Sequence, residues 1–164
     1  MQTLIVFSEN SLGLLHSISA MFTRRRLNIE SLTVSETEKK GISRYTIVLN
    51  ADEDLTQKVA RQIRRVIEVR DVLVCKGEDL IEFEVALIRV NTKDAAERSS
   101  LEALASRHGA EVVAGDEFHL VLQKSGPENE VKALFLMLEG YGIAEYVRSG
   151  RTALTREYRA CALE

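Results

Sequence analysis

TLIVFSENSLGLLHSISAMFTRRRLNIESLTV, residues Thr3–Val34, passes from an apolar extended run through a polar turn closed by glycine into an amphipathic helix, and then into a second extended run. Thr3–Phe7 reads as a strand, and Leu14, Leu15, Ile18, Met21 and Phe22 recur at three-to-four spacing as one helical face. Ile29–Glu36 and Ile42–Asn50 follow as two strands joined across EKKG, where Gly41 supplies a turn with positive φ. Asp52–Asp54 then place acids at the start of a second helix with a buried stripe of Leu55, Val59, Ile63 and Val66, and Val69–Cys75 returns as a strand. The order is βαββαβ.

The same order recurs after Gly77. Phe83–Val90 reads as a strand, and Lys93–His108 as a helix burying Leu101, Leu104 and Ala105, stopped by Gly109. Glu111–Ala114 and Glu117–Gln123 form a second hairpin across Gly115 and Asp116, Pro127 opens a helix at its first turn, and that helix carries Val131, Leu134, Phe135 and Leu138. Ile143–Val147 closes the repeat. The expected architecture is α+β, two ferredoxin-like βαββαβ domains in tandem, residues 1–76 and 77–164, the second ending in a short tail from Ser149. Such a unit packs both helices on one sheet face and leaves the other open. Leu4, Ile5, Val6 and Phe7 are all apolar where a half-exposed strand should alternate, so a second copy or a partner protein is expected to cover that face.

Composition narrows the function. The chain has 164 residues, 45% hydrophobic and 29% charged, with a formal charge of −3, a globular balance without the basic excess of a nucleic-acid binder. Its apolar runs fall far short of the roughly 18 residues of a membrane span, and the N-terminus lacks the basic and apolar regions of a signal peptide. Cys75 and Cys161 alone make no disulfide framework, which fits a reducing cytoplasm. His16, His108 and His119 lack metal-ligand spacing, and neither a phosphate loop nor a dinucleotide loop is present. Arg24, Arg25 and Arg26 complement a helix C-terminus, with an interaction patch as the alternative. An RNA-recognition reading is weak, because KGISRYTIV lacks the aromatic expected after Lys40 and Gly41. An acylphosphatase-like reading is weaker still, because Glu9 opposes an anion in the first loop.

What remains is that loop. N–H groups at a helix N-terminus can receive a carboxylate, and Gly13 removes a side chain where a ligand must approach backbone. Asn10 or Ser11 can instead cap the helix. Asn28, before the second strand, offers an amide oxygen to an ammonium and an NH₂ to a carboxylate, so that together these groups suit an amino-acid zwitterion.

ENSLGLL at Glu9–Leu15, RRRLNIESLTV at Arg24–Val34, GISRYTIV and VRSGRTALTR together resemble the regulatory small subunit of acetolactate synthase, also called acetohydroxyacid synthase, over nearly the whole chain. The resemblance implies that the first domain is an ACT domain, that ACT domains pair in a homodimer, and that a separate catalytic large subunit is the partner. It further implies a non-catalytic chain without cofactor of its own, thiamine diphosphate, Mg²⁺ and FAD residing in the large subunit. The implied effector is valine, or leucine or isoleucine, held where Asn10, Gly13 and Leu14 of one chain face Asn28 and Ile29 of another. Where the family commonly has glycine and an aromatic before the asparagine, this chain has Arg26 and Leu27, so the helix exit is expected to turn differently. A stand-alone ACT-type amino-acid sensor acting on another protein is the alternative.

Overall fold

A computed structural model describes residues 1–157, which leaves Cys161 and the end of the tail outside the described residues. The elements are β1 (Gln2–Glu9), α1 (Leu14–Thr23), β2 (Ile29–Glu36), β3 (Ile42–Leu49), α2 (Glu53–Ile63), β4 (Val69–Cys75), β5 (Leu80–Asn91), α3 (Ala95–Arg107), β6 (Ala110–Gly115), β7 (His119–Gly126), α4 (Glu128–Leu138), β8 (Ile143–Arg148) and β9 (Thr152–Thr155). The βαββαβ order therefore occurs twice. The chain separates into two compact units, one of Met1–Ile81 with the segment from Arg151 onward, the other of Glu82–Gly150. That division falls a few residues beyond the Lys76–Gly77 boundary expected from sequence. The tail, expected to close the second half, groups with the first.

In the first unit the antiparallel sheet has the order β2-β3-β1-β4. β1 is central, and its Leu4 and Val6 pack with Ile18, Phe22, Val59 and Ile63 from the two helices. Gly41 turns the β2–β3 hairpin at φ 83°. The Asp52 carboxylate accepts the Leu55 N–H at 2.7 Å, an N-cap worth about 1 kcal/mol to α2.

The other face of β1 explains its unbroken apolar run. Ile5 and Phe7 pack with Cys75, Leu80 and Ala153, so the chain's own C-terminal strand covers them, not another molecule as expected from sequence. The Arg44 guanidinium lies 5.2 Å from the Phe7 ring centroid and donates to the Ala153 carbonyl. The Arg151 N–H donates to Ser31 Oγ at 2.8 Å, fastening the same strap to β2.

In the second unit the sheet runs β6-β7-β5-β8. Ala86, Ile88 and Val90 of β5 pack beneath Leu101 and Ala105 of α3 and Val131, Leu134 and Leu138 of α4. Pro127 is the N-cap of α4 and precedes its first turn. β7 starts at His119, not Glu117, because the Asp116 carboxylate accepts the N–H groups of Phe118 and His119 at 2.8 and 2.9 Å and holds a turn there. The opposite sheet face keeps Val85, Leu87 and Val147 exposed.

Candidate ligand-binding site

The residues expected to bind ligand stand at the two ends of α1. At its start Gly13 is the N-cap, left-handed at φ 81° and ψ −7°, with no side-chain cap hydrogen bond. The expected capping by Asn10 or Ser11 is thus absent. The Asn10 side chain is exposed, while its N–H donates to the Gly41 carbonyl at 2.8 Å and ties the loop to the hairpin turn. A Cβ built on Gly13 meets nothing within 4 Å, so the N-terminal turn of α1 opens onto free space. Leu14 contributes only backbone there, because its side chain is buried in the core at 3% exposure. Leu15, expected on the buried face, is exposed, and so is Leu12; the pair forms an apolar shoulder beside Gly13.

Glu9, which would repel an anion, is paired. Arg70 Nη2 lies 2.6 Å from its Oε1, so a cation from β4 balances the carboxylate that would otherwise oppose an anion in this loop. Both side chains are about half exposed, and the pair serves local charge balance more than stability.

At the far end the chain leaves α1 through a left-handed residue. Leu27 N–H donates to Phe22 O at 3.0 Å and Arg26 N–H to Thr23 O at 2.9 Å, the paired bonds of a Schellman turn. Arg26 has φ 55°, and among the described residues it is the one non-glycine with positive φ. The exit therefore keeps the turn that glycine favours, against the expectation that Arg26 would redirect it. Leu27 packs on the core that contains Phe22, the apolar contact that accompanies such turns.

Asn28 is exposed directly after this turn, and Ile29 packs half-buried against the core. Asn28 Nδ2 donates to Glu30 Oε1 at 3.1 Å. That bond fixes the amide orientation, since only the NH₂ can face a carboxylate, and it leaves Oδ1 as a free acceptor. Glu30 was not singled out from sequence, although two-residue spacing in an extended run puts it on the same side as Asn28. Asn28 Oδ1 with Glu30 makes an acceptor pair for an ammonium; the open N-terminus at Gly13 suits a carboxylate. Ten residues of helix separate the two, about 15 Å, so one chain does not bring them together. Among the described residues no group of three His, Cys, Asp or Glu could hold a metal, and no helix is long and apolar enough to cross a membrane.

Known proteins resemble this chain in sequence and fold. Residues 83–157 match the family described as the small subunit of acetolactate synthase, and residues 4–71 match the AHAS small subunit-like ACT domain. The acetolactate synthase small subunit of Bacillus subtilis is 34% identical over 148 residues, covering 90% of this chain and 86% of the relative. That of Mycobacterium leprae is 35% identical over 154 residues, covering 94% and 90%. The crystal structure of the acetolactate synthase small subunit from Thermotoga maritima has the same fold, with a TM-score of 0.87 at 24% identity over 96% of this chain and 98% of that one.

Proposed function

Because the chain belongs to the acetolactate synthase small-subunit family, we propose that it is the regulatory partner of a catalytic large subunit, raising its rate and conveying feedback inhibition by valine, leucine or isoleucine. Full-length similarity to proteins named as small subunits supports the regulatory role. In this reading thiamine diphosphate, Mg²⁺ and FAD belong to the large subunit, and this chain contributes binding energy and conformational bias.

The observation that carries the effector site is the open, left-handed N-cap at Gly13 together with the Asn28–Glu30 acceptor pair one helix length away. Two copies of the first unit pair so that the α1 N-terminus of one meets Asn28 of the other, and an amino acid bridges them through its carboxylate and ammonium. The exposed Leu12, Leu15 and Val34 give such a pair apolar surface to bury. Valine then regulates by its unequal affinity for two arrangements of the pair, one that activates the large subunit and one that does not.

The test is reconstitution. The purified chain alone converts no pyruvate to acetolactate; added to the large subunit it raises the rate several-fold, and valine reverses the rise. A rate unchanged by saturating amounts of the folded chain refutes the regulatory reading.

A further inference from the structure

The helix-facing row of β5 runs Val90, Ile88 and Ala86, each fully buried, and then reaches Glu84, whose side chain is 4% exposed. A carboxylate at the end of an apolar row is costly unless it is paired and hydrogen-bonded. Ala86 lies opposite Arg148 and Ile88 opposite Tyr146 in the β5–β8 register, which sets Arg148 and Tyr146 on that same side. Along α4, Glu128, Lys132 and Phe135 follow at helical spacing on one face. These six residues line an open cleft of about 280 Å³, just below the roughly 300–1,000 Å³ usual for small-molecule sites. The rings of Phe135 and Tyr146 meet at 4.7 Å between centroids, tilted by 49°. Burial pushes the Tyr146 phenol above its usual range, so it stays neutral.

Glu84 Oε1 is buried and accepts no hydrogen bond. Arg148 Nη1 stands 3.5 Å from it and 3.6 Å from Glu128 Oε1, an ion pair to each without hydrogen-bond contact. Arg148 is itself 45% exposed, so it can turn outward and uncover Glu84. We propose that this cavity is a second small-molecule site, which binds a free α-amino acid with an apolar or aromatic side chain. The ammonium donates to Glu84 and Glu128, the carboxylate meets Lys132 and the displaced Arg148, and the side chain lies on Phe135 and Tyr146. The unsatisfied Glu84 carboxylate beside the cations Lys132 and Arg148 selects a zwitterion. A polyamine is repelled by Lys132 and Arg148, and a phosphate by Glu84 and Glu128. The site lies within the second unit and shares no residue with the one at Gly13 and Asn28.

The experiment is a titration of the isotope-labelled full chain with L-leucine and L-phenylalanine, with N-acetyl-leucine as the probe lacking an ammonium, followed by amide chemical shifts. The signals of Lys132, Tyr146 and Arg148 are expected to move with the free amino acids and to stay with the acetylated one. Glu84→Gln, which keeps shape and removes charge, weakens these shifts about tenfold or more in apparent affinity, and Asn28→Ala leaves them unchanged. If Glu84→Gln does not fold, Lys132→Ala, an exposed position, should show the same direction of loss. Shifts confined to residues around Gly13 and Asn28, equal binding of N-acetyl-leucine, or parental affinity in the folded Glu84→Gln chain each overturn the proposal.

Discussion

Replacing Arg26 with glycine should stabilise the first unit. Arg26 holds φ 55° in the turn that ends α1, and its side chain is exposed, so the substitution gives up little packing. A left-handed conformation costs a non-glycine residue about 1–2 kcal/mol, and glycine adds about 0.5–1 kcal/mol of unfolded-chain entropy, which leaves a net gain of roughly 0.5–1 kcal/mol. For a unit of this size that is a rise in melting temperature of about 2–8 °C. Arg26→Val is the converse: a branched Cβ is poorly tolerated at positive φ, and a loss of about 1–2 kcal/mol follows. Urea titration of the full chain, followed by far-ultraviolet circular dichroism, reads both as shifts of the midpoint at unchanged slope. A lower midpoint for Arg26→Gly, or a parental one for Arg26→Val, would show that the turn is not left-handed in solution.

Three further outcomes follow from the sites. Gly13→Asp has open space around it but must adopt φ 81° and puts a negative charge on the α1 N-terminus; valine inhibition of the reconstituted enzyme should vanish while activation persists, and retained sensitivity places the effector elsewhere. Asn28→Ala loses a hydrogen bond to a charged ligand, about 1.5–3 kcal/mol or on the order of 10- to 100-fold in valine affinity by calorimetry. Because Asn28 is exposed and its side chain bonds only Glu30, the melting temperature should move little, and a clear drop with unchanged affinity would mark a turn former instead. The Asp116 carboxyl is held below the usual carboxylate range by the Phe118 N–H, then by His119. Its contribution is present above the unfolded-state value and lost as pH falls through the depressed one, so the Phe118 and His119 amide signals should shift in a more acidic window than those beside an ordinary aspartate.

The regular elements were legible because periodicity reports burial. Val59 and Ile63 face a core on one side of α2, and Gly41 marks a turn with no side chain to hinder it. The features that were hidden depend on residues far apart in sequence or on conformations without a pattern. The four residues of β9 are too few to show a period, and nothing near Ile5 or Phe7 announces Ala153 as their neighbour. Asn10 and Ser11 have the chemistry of caps, yet the left-handed Gly13 takes that place. Leu15 fits the apolar stripe by spacing but falls at the margin of the buried arc, where it meets solvent. Glu30 is an exposed residue of β2 that no motif marks, and its bond to Asn28 is what joins it to the site.

The strap from Arg151 to Thr155 also bears on how the protein is made. Arg44 reaches Ala153 across 109 residues, and Ser31 meets Arg151 across 120, whereas the rest of the first unit is complete in sequence by Ile81. During synthesis from the N-terminus, β1 to β4 can pair and bury Leu4 and Val6 early, but Ile5 and Phe7 lack their contact with Ala153 until β9 has left the ribosome. A nascent chain therefore carries an apolar, unroofed sheet through the whole time its second half is being translated. A message truncated before Arg151 would leave that surface permanently exposed, on a domain otherwise able to form its helices and strands.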